Sequence, residues 1–160
     1  MAESDRQTVV YKLITEAGLP FSLDSFDNRL RIQKTAYLLV AMGAPLDYHY
    51  NWYLRGPYSP SLAKDLFAVA ANIESARERA RLIQFGPGAR RTIDALKETL
   101  RAKPADYPTD VIWFEALASV AFLKRRGAEE RAIAEQLGKE KALTPQMVRE
   151  SYRAVAELGV

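Results

Sequence analysis

From Ala36 to Met42 the chain reads Ala36-Tyr37-Leu38-Leu39-Val40-Ala41-Met42, without one polar position. It continues an amphipathic stretch that begins near Ser25, where Phe26, Leu30 and Tyr37 share a side and Arg29 and Arg31 lie elsewhere. Ser25 or Asp27 can cap the start, and Gly43 and Pro45 end it, so a helix is predicted over about 25–42. A helix that is apolar all round must be buried. The fold therefore has to be assembled around this segment. Gln33 and Lys34 stand where it enters the core, so Lys34 is expected to be partly buried and paired.

A second, strongly apolar helix is predicted over 109–126. Thr109 caps it, Gly127 ends it, and Val111, Ile112, Trp113, Phe114, Leu117, Val120, Phe122 and Leu123 fill it. It should pack on the first. Further helices are read over 4–17, over about 60–71 with a Ser59-Pro60 start, as a charged turn at 75–81, and over 89–102. Two more close the chain near 128–137, ending at Gly138, and at 144–158 after Thr144-Pro145.

Residues 48–55 alternate instead. Tyr48, Tyr50, Trp52 and Leu54 point one way; His49, Asn51, Tyr53 and Arg55 point the other. Aromatic enrichment favours a strand. Gly56-Pro57-Tyr58 reads as a turn into the next helix. A lone strand leaves its backbone groups unpaired, and Leu82-Ile83-Gln84-Phe85 is the predicted partner. The fold class is thus mainly α, one domain over 1–160 with a small two-stranded β element at about 48–55 and 82–85.

Composition excludes much chemistry. The chain of 160 residues has no cysteine and one histidine, His49. That removes disulfides, thiolate zinc sites, cysteine nucleophiles and multi-histidine metal centres. No Gly-rich phosphate loop with its lysine and hydroxyl is present, since Phe85-Gly86-Pro87-Gly88-Ala89-Arg90 lacks both. No catalytic residue, cofactor or metal is expected, and the chain is read as non-enzymatic. Without a signal peptide or a membrane span, the expected location is the cytoplasm.

The net charge of +3 is unevenly placed. Residues 77–103 hold eight Lys/Arg against three Asp/Glu, while the flanking segments are slightly acidic. Arg77, Arg79, Arg81, Arg90 and Arg91 are the candidates for contacting a phosphate backbone. Ile133 to Gly138 is spaced like the first helix of a helix-turn-helix. The delay to Thr144 makes the predicted turn several residues too long. Gln146, Arg149 and Arg153 would be the groove-facing residues.

Two blocks, read in order, carry a resemblance. The first is Arg31-Ile32-Gln33-Lys34-Thr35-Ala36-Tyr37-Leu38-Leu39. The second is Pro45-Leu46 followed by Asn51-Trp52-Tyr53-Leu54-Arg55-Gly56-Pro57-Tyr58-Ser59-Pro60-Ser61-Leu62-Ala63-Lys64-Asp65-Leu66. Together they resemble the YwgA-like family of small prokaryotic proteins and, more distantly, the Panacea (SocA-like) antitoxin domain. The match covers residues 29–68, and the stretch 141–158 fits more loosely. Tyr58 stands where Panacea domains usually carry an aliphatic residue, so the YwgA-like match is the closer one. The resemblance implies a helical, winged-helix-like fold and an adaptor or antitoxin that binds another protein.

Within the blocks, Lys34, Trp52, Gly56, Pro57, Ser59 and Asp65 read as structural. A buried ion pair, or a hydrogen bond to the Gly-Pro corner, accounts for Lys34 and Asp65. Tyr53, Arg55 and Tyr58 are the candidate partner-binding residues, since Tyr and Arg dominate binding hot spots. A protein partner is expected. The alternatives are a winged-helix-like nucleic-acid regulator using segment 77–103, and a homodimer joined through the aromatic strand.

Overall fold

A computed structural model describes all residues, 1–160. Eight helices and one antiparallel hairpin follow in the order α1 (Glu3–Glu16), α2 (Phe26–Ala41), β1 (Asn51–Tyr53), β2 (Gly56–Tyr58), α3 (Pro60–Ala71), α4 (Ile73–Ala80), α5 (Pro87–Arg101), α6 (Asp110–Arg125), α7 (Glu130–Lys141) and α8 (Pro145–Glu157).

The two strongly apolar segments are the centre. On α2 every residue from Ile32 to Leu39 is buried, and on α6 so is every residue from Trp113 to Leu123. The two helices pack on each other, and α8 closes the far side of α6. Predicted starts are observed: the side-chain oxygens of Ser25, Ser59, Thr109 and Thr144 accept from the backbone N–H three residues on. At the end of α2, Gly43 takes φ +104° and lets Ala44 N donate back to Leu39 O at 2.9 Å, the glycine-terminated stop the sequence predicts.

The β element is placed differently from the sequence expectation. Leu82–Phe85 forms no strand, and Leu82 is exposed. The partner of β1 is β2, with Asn51 opposite Tyr58, Trp52 opposite Pro57 and Tyr53 opposite Gly56. The reversal is at Leu54-Arg55, and Gly56-Pro57-Tyr58 is a strand rather than the turn. The physical reason is Gly56, whose φ of +85° admits a reversal after only two residues. A partner five residues away closes a far smaller loop than one thirty residues away. Proline is tolerated because each strand of a two-stranded sheet is an edge.

The strand is also shorter than predicted. Tyr48 and Tyr50 do point inward, and Trp52 is half-buried against Phe122, their ring centroids 5.6 Å apart. Leu54 does not follow the alternation; it sits in the turn and faces solvent. Near the C-terminus, α7 runs through Gly138 to Lys141 instead of stopping, and Ala142 ends it in the left-handed conformation. The connection to α8 is therefore three residues, 142–144, and not the long turn read from the sequence.

Candidate functional site

Gln33 and Lys34, adjacent on α2, both reach the corner between β2 and α3. The Gln33 side chain makes a two-point contact with the Ser59 backbone: Nε2 donates to Ser59 O (2.9 Å) and Oε1 accepts from Ser59 N (3.1 Å). The Lys34 Nζ donates to Pro57 O at 2.7 Å. These contacts join the two sequence blocks. The first block supplies the side chains that satisfy the backbone the second block leaves without partners.

Lys34 is 1% exposed and forms no ion pair. Burial pushes its ammonium down from an ordinary 10.5 to about 7. Glu115 opposes that displacement, while Lys141 and Arg55 add to it. Gly56 lies directly over the same spot: a Cβ there would come within 2.5 Å of Ser119 Oγ and 3.7 Å of Lys34 Nζ. Ser119 Oγ is itself buried without a hydrogen-bond partner.

Asp65 does not pair with Lys34. It faces α1 instead, accepting from Arg6 Nε (2.8 Å), Gln7 Nε2 (3.1 Å) and Tyr48 OH (2.7 Å). Burial alone would raise this carboxyl. The hydrogen bonds from Arg6, Tyr48 and Gln7, with the charge of Arg6, outweigh burial and hold it below the usual aspartate value. The cluster ties α1, the 44–50 segment and α3 together. Asp47 meets Arg6 at 3.3 Å, and His49 is exposed. No group of three or more His, Asp or Glu side chains converges as a metal site, and no helix is long and apolar enough to cross a membrane.

Tyr53, Arg55 and Tyr58 are brought together on one surface. They line a groove of about 520 Å³ between α2, the hairpin and α3. Tyr53 and Tyr58 meet edge to face at 5.4 Å. Arg55 stands 5.9 Å from the ring centroid of Phe26. The groove also exposes Phe26 (54%), Tyr53 (46%), Leu54 (87%) and Phe67 (56%), four of the six large apolar side chains that face solvent. Clusters of that kind on a soluble surface mark interaction sites, whereas single exposed apolar residues are ordinary.

Sequence reasoning missed part of this lining. It assigned Phe26 to the apolar face of its helix, yet Phe26 occupies the first turn of α2, beyond the reach of α6. Phe67 lies off the inward stripe of Leu62, Leu66 and Val69, so helical spacing already placed it outside the core. An aromatic on the wrong face of an amphipathic helix was the available signal.

Three of the five candidate arginines are paired within the chain. Arg77 pairs with Glu74 (2.7 Å), Arg79 with Asp5 (3.3 Å) and Arg90 with Glu16 (2.9 Å). Arg81 and Arg91 are exposed without a carboxylate partner. On α8, Gln146, Arg149 and Arg153 are exposed, and Arg149 Nη2 donates to Gln146 Oε1 at 2.8 Å. Compared with known proteins, the chain matches no family model, no curated protein and no solved structure.

Proposed function

We propose that this chain is a non-enzymatic protein-binding module, an adaptor or antitoxin-like protein, that docks its partner in the groove between α2, the hairpin and α3. The observation that carries this reading is the gathering of Phe26, Tyr53, Leu54 and Phe67 around one concave surface, beside Arg55. Aromatic and arginine anchors around an apolar pocket are the composition of a binding hot spot. The resemblance to YwgA-like and Panacea proteins supports the same reading. Residues 29–68 carry it, and they supply all of the groove lining except Leu23 and Phe26.

The test is a photo-crosslinking residue placed at position 67 or, as a control, at Glu98 on α5, with recovery from the native host. The expected result is one protein joined at position 67, absent from the control and lost when Leu54→Ser accompanies the probe. Equal crosslinking at both positions would refute the reading.

A second reading, a nucleic-acid-binding regulator, draws on the three-residue α7–α8 connection, which is short enough for a helix-turn-helix, and on the exposed Gln146, Arg149 and Arg153. Three of the five arginines in its basic segment are already paired, which weakens it. A gel shift at low salt that shows no complex with duplex or single-stranded DNA would remove it.

A further inference from the structure

Resting on the docking reading above, we propose that the segment filling the groove is acidic as well as apolar, placing a carboxylate against Arg29 and Arg55 beside the side chain that enters the pocket. The groove lining contains Arg29, Lys34 and Arg55 and not a single Asp or Glu. Neither arginine is well matched within the chain. Arg29 donates Nη1 to the Leu23 carbonyl at 2.8 Å and forms no ion pair. Lys34 holds one backbone carbonyl. Arg55 meets Glu115 only at 3.7 Å, and Glu115 is already held by Lys141 at 2.8 Å. Asp24 and Asp27 are exposed nearby but lie outside the lining.

Docking changes the requirement on these groups. While the groove is open, water solvates both guanidinium groups. A purely apolar partner would strip that water and leave Arg29 without a counter-charge and Arg55 with only its long contact to Glu115, which opposes docking. A basic partner would add repulsion. A carboxylate supplies the missing acceptors and can meet a guanidinium with two parallel hydrogen bonds. Charge therefore selects the partner, while Phe26, Tyr53, Leu54 and Phe67 supply the contact area.

The experiment is selection of a randomised phage-displayed peptide library on the immobilised full-length protein, with counter-selection on Leu54→Ser/Phe67→Ser. Both positions are exposed, so the variant keeps its fold, which circular dichroism checks. The expected result is a set of groove-dependent peptides with Asp or Glu next to an aromatic or aliphatic residue. Their binding should weaken about tenfold on Arg55→Gln and fall with rising salt. Groove-dependent peptides that are neutral or basic, or that ignore Arg55→Gln and salt, would overturn the acidic class and leave the docking reading standing. Recovery of no peptide that distinguishes the two proteins would overturn the docking reading and this inference with it.

Discussion

Replacing Lys34 by methionine tests the energetics of the core most directly. The substitution keeps the stem and removes the charge. In the folded chain the ammonium is pushed down by burial to about 7; in the unfolded chain it returns to about 10.5. Below pH 7 both states hold the proton, and folding bears the full cost of burying a charge. Between pH 7 and 10.5 the folded state has released the proton and the unfolded state still binds it. Stability therefore rises with pH across this window and levels off above it. At about 1.4 kcal/mol per tenfold change, the window is worth roughly 3–5 kcal/mol. Lys34→Met does not show this rise. It also leaves Pro57 O, which Lys34 Nζ satisfies at 2.7 Å, without its donor, at a cost of about 1–3 kcal/mol at every pH. The variant should thus match or exceed the wild-type stability at pH 6 and fall below it at pH 10. The assay is urea unfolding of both proteins across this range, read by tryptophan fluorescence, with the stability difference plotted against pH. Other lysines and tyrosines titrate alike in both proteins and cancel. A difference that stays constant within about 0.5 kcal/mol would refute the reasoning.

Gly56→Ala should cost about 2–4 kcal/mol, because an alanine resists φ +85° and its Cβ would meet Ser119 Oγ at 2.5 Å. Ser119→Ala alone should change stability by less than about 1 kcal/mol, since its Oγ has no partner, and should recover part of the Gly56→Ala loss in a double-mutant cycle. Asp65→Asn should cost about 3 kcal/mol, the lower end for breaking a buried ion pair because Arg6 remains partly in water. The contribution of Asp65 is present above the ordinary aspartate range and is lost as pH falls through its lowered value; acid titration of the variant should show a shallower loss of stability than wild type. Lys141→Met leaves the nearly buried Glu115 with only its 3.7 Å contact to Arg55, costing about 2–3 kcal/mol, and alters Trp52 emission because the ammonium stands 5.2 Å from that ring.

Much of the helical frame was legible in the residues. The run at Ala36–Met42 has no polar face and Val111–Leu123 carries only Glu115 and Ser119 among apolar residues, which makes burial the stable setting of both, and serine and threonine caps mark their starts. The hairpin was not legible in its pairing. Leu82–Phe85 has the pattern of a strand and Gly56–Tyr58 that of a turn, and the pairing actually formed depends on the left-handed conformation of Gly56, which pattern alone does not reveal. The extension of α7 through Gly138 is similar: packing on α6 and α8 overrides a weak local preference. For the groove, Tyr53, Arg55 and Tyr58 were visible as exposed aromatics and a cation beside a turn. Phe26 and Phe67 were not assigned to it, because membership depends on where α2 and α3 stand relative to the hairpin.

Lys141 has a consequence for how the chain matures. Its Nζ donates to Leu54 O at 2.8 Å as well as to Glu115, across 87 residues of sequence. Gln33 and Lys34 can hold β2 and its corner as soon as the hairpin is made, whereas the tip carrying Tyr53, Leu54 and Arg55 gains this further tie only when α7 is complete. The rim of the groove is therefore anchored by two parts of the chain made at different times, its base by α2 and its tip by α7.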